Sequence, residues 1–119
     1  MTNRKHIVDR VGTVKIDKDC FVDRSWIQDY ARVVVAVCRM KGVRVTWIQM
    51  CNSESKGLHF YIDISPPVEA KLANELQFLL GDDCGRVDRN RARIRSRLTE
   101  WNKLFELPNA RLKTIYRSS

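Results

Sequence analysis

No stretch of the chain approaches the ~20 consecutive apolar residues that a membrane-spanning helix requires, so the sequence predicts no membrane span. The four cysteines, Cys20, Cys38, Cys51 and Cys84, form no CxxC pair and have no cysteine–histidine spacing of zinc type, which argues against a zinc module. No signal peptide precedes them, and the expectation is four reduced, mostly buried thiols in a cytoplasmic protein. Internal repeats, low-complexity tracts and linkers are also missing, which leaves a single domain over residues 1–119. With 44% hydrophobic residues, a chain of this length fills one core without disulfide staples.

Charge is present in excess of one sign. The formal net charge is +8, which favours a polyanionic partner such as nucleic acid or a nucleotide. The excess is concentrated: Arg86, Arg89, Arg91, Arg93, Arg95 and Arg97 fall within twelve residues that hold one acid, Asp88. A solvated helix face would explain such a run. At this density in a small basic domain, contact with backbone phosphates is the preferred reading.

Periodicity gives the elements. The first ten residues are polar. In "GTVKIDKDCFV", Val14 and Ile16 alternate with Thr13, Lys15, Asp17 and Asp19, as in a half-buried strand. Ser25 and Gln28 fit a capping box, Ile27, Ala31, Val34 and Cys38 recur at helical spacing, and Gly42 marks a helix end. "VRVTWIQMC" reads as a second strand. "NSESKG" punctuates the chain, and "LHFYIDI" follows as a third strand with Leu58, Phe60, Ile62 and Ile64 on one face and His59, Tyr61 and Asp63 on the other. Ser65-Pro66-Pro67 predicts the end of that strand and the start of a helix with Val68, Leu72, Leu76, Leu79 and Leu80 as its apolar stripe and Gly81 as its stop. A last helix is expected from near Gly85 to Phe105, with Val87, Ile94, Leu98, Trp101 and Phe105 on one side, then a short strand in "NARLKTIYR". The order β-α-β-β-α-α with a final β predicts a small α+β domain, ferredoxin- or RNA-recognition-motif-like, with helices on one face of a largely antiparallel sheet. Alternation then places Asp17, Asp19, His59, Tyr61 and Asp63 on the other, open face.

Two aspartates at i and i+2 on a strand point the same way and repel unless a cation lies between them, and Mg²⁺ or Mn²⁺ suits such oxygen ligands. In the turn before His59, Ser53 and Ser55 offer hydroxyls, Lys56 a point charge and Gly57 a permissive backbone, all suited to phosphate. Each signal alone also fits an ordinary strand end or hairpin.

In order along the chain, the two signals resemble the archaeo-eukaryotic primase superfamily, especially the primase–polymerases of mobile elements and the polymerase domain of bacterial end-joining ligases. In those families the turn reads close to Ser-Gly-Ser-Lys-Gly-Leu-His. Here "SESKGLH", Ser53 to His59, departs from it chiefly at Glu54, and the likeness runs from Val14 to about Arg91. The resemblance implies metal-dependent nucleotidyl transfer on a DNA or RNA template, as in a primase or polymerase, with nucleoside triphosphates as substrates. It implies Asp17 and Asp19 as metal ligands, with a third acid at Asp88 or, as its geometric rival, Asp63. It implies nucleotide binding by His59 and by the turn residues Ser53, Ser55, Lys56 and Gly57. Arg86 to Arg97 would grip template or primer backbone. The competing expectation is a non-catalytic nucleic-acid-binding module, with Tyr61 and Trp47 as stacking candidates. A nuclease or phosphate-ester hydrolase using the same acids is a third.

Overall fold

The computed structural model describes residues 10–18, 24–52, 57–82, 84–96 and 111–118. The elements are β1 (Arg10–Lys18), α1 (Ile27–Met40), β2 (Arg44–Asn52), β3 (Leu58–Glu69), α2 (Ala70–Leu79), α3 (Cys84–Arg95) and β4 (Lys113–Arg117). They form the expected α+β fold: one four-stranded sheet in the order β1-β3-β2-β4, every neighbouring pair antiparallel. Because β1 and β2 are both antiparallel to β3, they run parallel to each other with β3 between them. This is the split β-α-β arrangement. The final strand adds to β2, so among the described residues no strand lies along the outer edge of β1.

The core follows the predicted alternation. Val14 and Ile16 of β1, Ile48 and Met50 of β2, and Phe60 and Ile62 of β3 are buried on one face of the sheet. Helix α1 lays Ile27, Tyr30, Ala31, Val34 and Cys38 against that face. Tyr30 is the hinge of the packing. Its ring lies 4.8 Å from that of Phe60 and 5.2 Å from that of Trp26, and its hydroxyl donates to the Leu80 carbonyl at 2.8 Å. The α1 start differs from the expected capping box. A 3-10 turn, Arg24–Trp26, precedes the helix and puts Trp26 at the N-cap, where its ring packs on Tyr30.

Helices α1 and α2 end alike. Val43 N–H donates to the Cys38 carbonyl and Gly42 N–H to that of Arg39; Asp82 N–H donates to the Gln77 carbonyl and Gly81 N–H to that of Phe78. Both are Schellman closures. They need a left-handed residue at the fifth position, and Gly42 (φ 85°) and Gly81 (φ 83°) supply it. The second closure has a consequence for the site: it fixes Asp82 at the turn facing β1.

Two sequence expectations move. The strand does not end at Ser65-Pro66-Pro67; β3 runs on to Glu69. The β1 ladder steps from Thr13↔Asp63 to Val11↔Val68, so both prolines fall in the irregular stretch, where no ladder hydrogen bond asks for their missing amides. Helix α2 therefore starts at Ala70 and buries Ala73, Asn74, Leu76 and Gln77, while Leu79 faces solvent. Helix α3 spans Cys84–Arg95, and Leu98, Trp101 and Phe105 lie outside the described residues. Cys38 and Cys51 are free and buried. Among the described residues, no helix is long and apolar enough to cross a membrane.

Candidate functional site

The face of the sheet opposite the core is built in cross-strand rows. Asp17, His59 and Cys51 form one row, Lys15, Tyr61 and Gln49 the next, and Thr13, Asp63 and Trp47 the third. The expected meeting of Asp17 and His59 therefore occurs. They are direct partners across the β1–β3 ladder, with His59 Nε2 3.5 Å from Asp17 Oδ1. That separation is within ion-pair range and long for a hydrogen bond. Their backbone parity explains the closeness. Asp17 N–H and Lys15 C=O both point away from β3, so Asp17 and His59 are a non-hydrogen-bonded pair, whose side chains approach most closely. Gly57, just before β3, has φ 101°, a left-handed conformation that its permissive backbone allows.

The site is less open than alternation alone implies. The His59 side chain is 5% exposed and that of Asp17 22%. Cys51, on the other side of His59, is also buried, whereas Tyr61 and Asp63 are half-buried.

The candidate third acids do not join this pair. Asp63 is four residues from His59 along β3, roughly 13 Å at strand rise. It instead accepts a hydrogen bond from Thr13 Oγ1 at 2.7 Å. Carboxylates sharing one Mg²⁺ or Mn²⁺ must each come within about 2–2.6 Å of it, so Asp63 is too distant to share an ion with Asp17. Asp88 sits two residues after Arg86 on α3, about 200° round the helix. Arg86 reaches β1, so Asp88 points away from it, exposed, with Arg91 at 3.8 Å. Neither is placed as a ligand beside Asp17. Among the described residues, no group of three His, Cys, Asp or Glu side chains is arranged to hold a metal ion. Asp19, Ser53, Ser55 and Lys56 lie outside the described residues.

The acid that does approach Asp17 is Asp82, which sequence reasoning missed. Its Oδ1 accepts the Asp17 N–H at 2.9 Å. Asp82 is buried and paired with Arg86, whose Nη2 lies 3.0 Å from Oδ2 and whose Nε lies 3.2 Å from Oδ1. Arg86 Nη2 also donates to the Lys15 carbonyl at 3.0 Å, and Gln77 Nε2 donates to the same oxygen at 3.0 Å. Gln77 Oε1 accepts from Asn74 and Asn90, both buried. The free edge of β1 is thus closed by side chains. Its signal in the sequence was polar residues at helix positions that the apolar stripes left over, with Gly81 fixing Asp82.

This corrects one expectation about the arginines. Arg86 is 6% exposed and clamps a strand, so it is not part of a phosphate-gripping face. Arg93 is half-buried and donates to Asn90 Oδ1 at 3.1 Å. Arg89, Arg91 and Arg95 are exposed, and Arg97 lies outside the described residues. On the sheet, the Trp47 ring carries the Arg117 guanidinium 4.3 Å above its centroid, and its indole N–H donates to Thr114 Oγ1 at 2.9 Å. Comparison with known proteins finds no match to this chain among protein-family models, curated proteins or solved structures.

Proposed function

We propose that this protein binds nucleic acid through the phosphate backbone, using the solvent face of α3. The observation that carries the reading is the division of the arginines. Arg86 is turned inward onto Asp82 and β1, while Arg89, Arg91 and Arg95 project into solvent on a chain of net charge +8. The one acid among them, Asp88, faces Arg91 at 3.8 Å with both side chains exposed, a geometry that neutralises little. Guanidinium groups on a rigid helix grip phosphates without reading bases. The test is fluorescence anisotropy with an oligonucleotide. Changing Arg89, Arg91 and Arg95 together to glutamine is expected to weaken binding at least tenfold, about equally across sequences. Unchanged affinity would return these arginines to a solvated face.

A second reading has its own observation. The Asp17–His59 contact of 3.5 Å falls on the two positions that the primase–polymerase resemblance singles out. Nucleotidyl transfer would follow if Asp19 completed the acid pair and Mg²⁺ or Mn²⁺ supplied charge neutralisation at the phosphates. Asp17 would then hold the ion, and His59 would donate to a phosphate oxygen and orient the Asp17 carboxylate. Manganese-dependent incorporation of labelled nucleotide by the wild type, lost in Asp17→Ala with Asp19→Ala and in His59→Ala, supports it. Equal incorporation by wild type and both variants would refute it.

A further inference from the structure

Between α2 and α3 lies a groove of about 480 Å³, within the size range of small-ligand sites. Its α2 wall carries Lys71, Glu75 and Phe78, and its α3 wall carries Arg91, Ile94 and Arg95. Three features define what it suits. Phe78 is 59% exposed, a large aromatic ring that the core does not use. Lys71, Arg91 and Arg95 line the same groove with three cations, the two arginines one helical turn apart. The single acid, Glu75, is held by Lys41 Nζ at 2.8 Å, so its charge is answered from outside the groove. Half-buried Ile94 supplies apolar surface beside the ring.

We infer that this groove is a subsite for one nucleotide unit of a single-stranded nucleic acid, the base stacked on Phe78 and the flanking phosphates held by Lys71, Arg91 and Arg95. The inference rests on the proposed nucleic-acid binding and adds a strand preference to it. A duplex presents phosphates to α3 but keeps its bases stacked on one another, so it has no base to give Phe78. A single strand has one, and its phosphates meet the same arginines. The charge balance selects the occupant: a groove lined by an exposed ring and three cations, with its one acid already paired, fits an anionic ligand carrying a flat apolar group.

The experiment is anisotropy with a fluorescein-labelled fifteen-nucleotide oligothymidine and a fifteen-base-pair duplex, on wild type, Phe78→Ala and Phe78→Tyr. Phe78→Ala is expected to weaken the single strand about tenfold, the loss of one stacked base, and to change the duplex less than twofold. Phe78→Tyr retains a π-face and is expected to bind as the wild type does. The salt slope is expected to stay the same in all three, because no phosphate contact is removed. Equal unfolding midpoints in urea establish that the fold is intact. A single-strand affinity insensitive to Phe78→Ala, an equal loss for strand and duplex, or uptake of a Glu/Leu-rich helical peptide that excludes the oligonucleotide would overturn the subsite while leaving backbone binding in place. No binding of either oligonucleotide by the wild type would instead remove the proposed function, and the subsite with it.

Discussion

The two edges of the sheet face the same problem and solve it differently. At β4 the edge is five residues long and carries exposed Lys113 and Arg117, so shortness and charge discourage another strand from pairing there. At β1 the edge is partly buried by side chains of α2 and α3, where unpaired backbone groups would be costly. There Gln77 and Arg86 donate to Lys15 C=O, and Asp82 accepts from Asp17 N–H. The β4 solution asks little of the sequence. The β1 solution requires particular side chains at particular turns of α2 and α3, a left-handed Gly81 to aim Asp82, and a buried ion pair. In return it ties the helices to the strand that carries Asp17, so the candidate site inherits its rigidity from a polar network.

The sharpest way to break this contrast is to remove Arg86. Arg86→Met leaves Asp82 buried without its cation and removes a donor from Lys15 C=O. The expected loss is about 3–5 kcal/mol in urea unfolding, enough to unfold a marginal domain. Arg86→Met combined with Asp82→Leu is expected to recover part of that loss, because no buried charge remains.

Alkaline pH is expected to act next most strongly, through the α1 core beside this edge. Burial pushes the Cys38 thiol up from 9.0 to about 11, and burial first, then Asp82 and Cys38, raises the Tyr30 phenol. Both groups keep their protons in the folded chain at a pH where the unfolded chain has released them. Stability is therefore intact below about pH 9 and falls as pH rises toward 11, with Tyr30 extending the loss above pH 10. Cys38→Ala is expected to move the onset upward by removing the first titration. Thermal melts between pH 8 and 11 read this directly, and an onset unmoved by Cys38→Ala would assign the loss elsewhere.

Gln77→Leu removes one of two donors to Lys15 C=O and an acceptor from Asn74 and Asn90. Because Arg86 still serves the carbonyl, the expected cost is about 1–3 kcal/mol, smaller than for Arg86→Met. The smallest stability effect is expected at the other edge. Lys113→Thr with Arg117→Thr should change the unfolding free energy by no more than about 1 kcal/mol, most of it from the lost contact of Arg117 with the Trp47 ring. It should raise the tendency to aggregate, read by light scattering, because charge no longer guards the strand. A large stability loss there would erase the contrast between the edges.

How much of this the sequence disclosed follows from which signals are local. Alternation in β1 and β3 was local, so the core set Val14, Ile16, Phe60 and Ile62 and the shared face of Asp17 and His59 were both legible, whereas their direct pairing across the ladder is set by register. The helix ends at Gly42 and Gly81 were legible because a left-handed closure needs glycine. The extent of β3 was not, because the two prolines read as a stop until the ladder is seen to bulge around them. The burial of Arg86 was not legible either. An arginine run looks uniform in sequence, and only the placement of α3 against β1 decides which member turns inward. Asp82 went unnoticed for the same reason: its importance lies in a contact with Asp17, sixty-five residues away. Asp63 and Asp88 were drawn into the candidate site by residue type, and strand rise and helical rotation put them elsewhere.

In the proposed function, α3 divides its arginines between holding the fold and holding phosphates. The most direct test is the salt dependence of duplex binding for the wild type and for Arg89→Gln with Arg91→Gln and Arg95→Gln, with the urea midpoint measured on both. The slope of log affinity against log salt is expected to fall by up to about 2.7 for three lost phosphate contacts, at about 0.9 each, while the midpoint stays within experimental scatter. An unchanged slope, or a collapse of the midpoint in place of the slope, would contradict it.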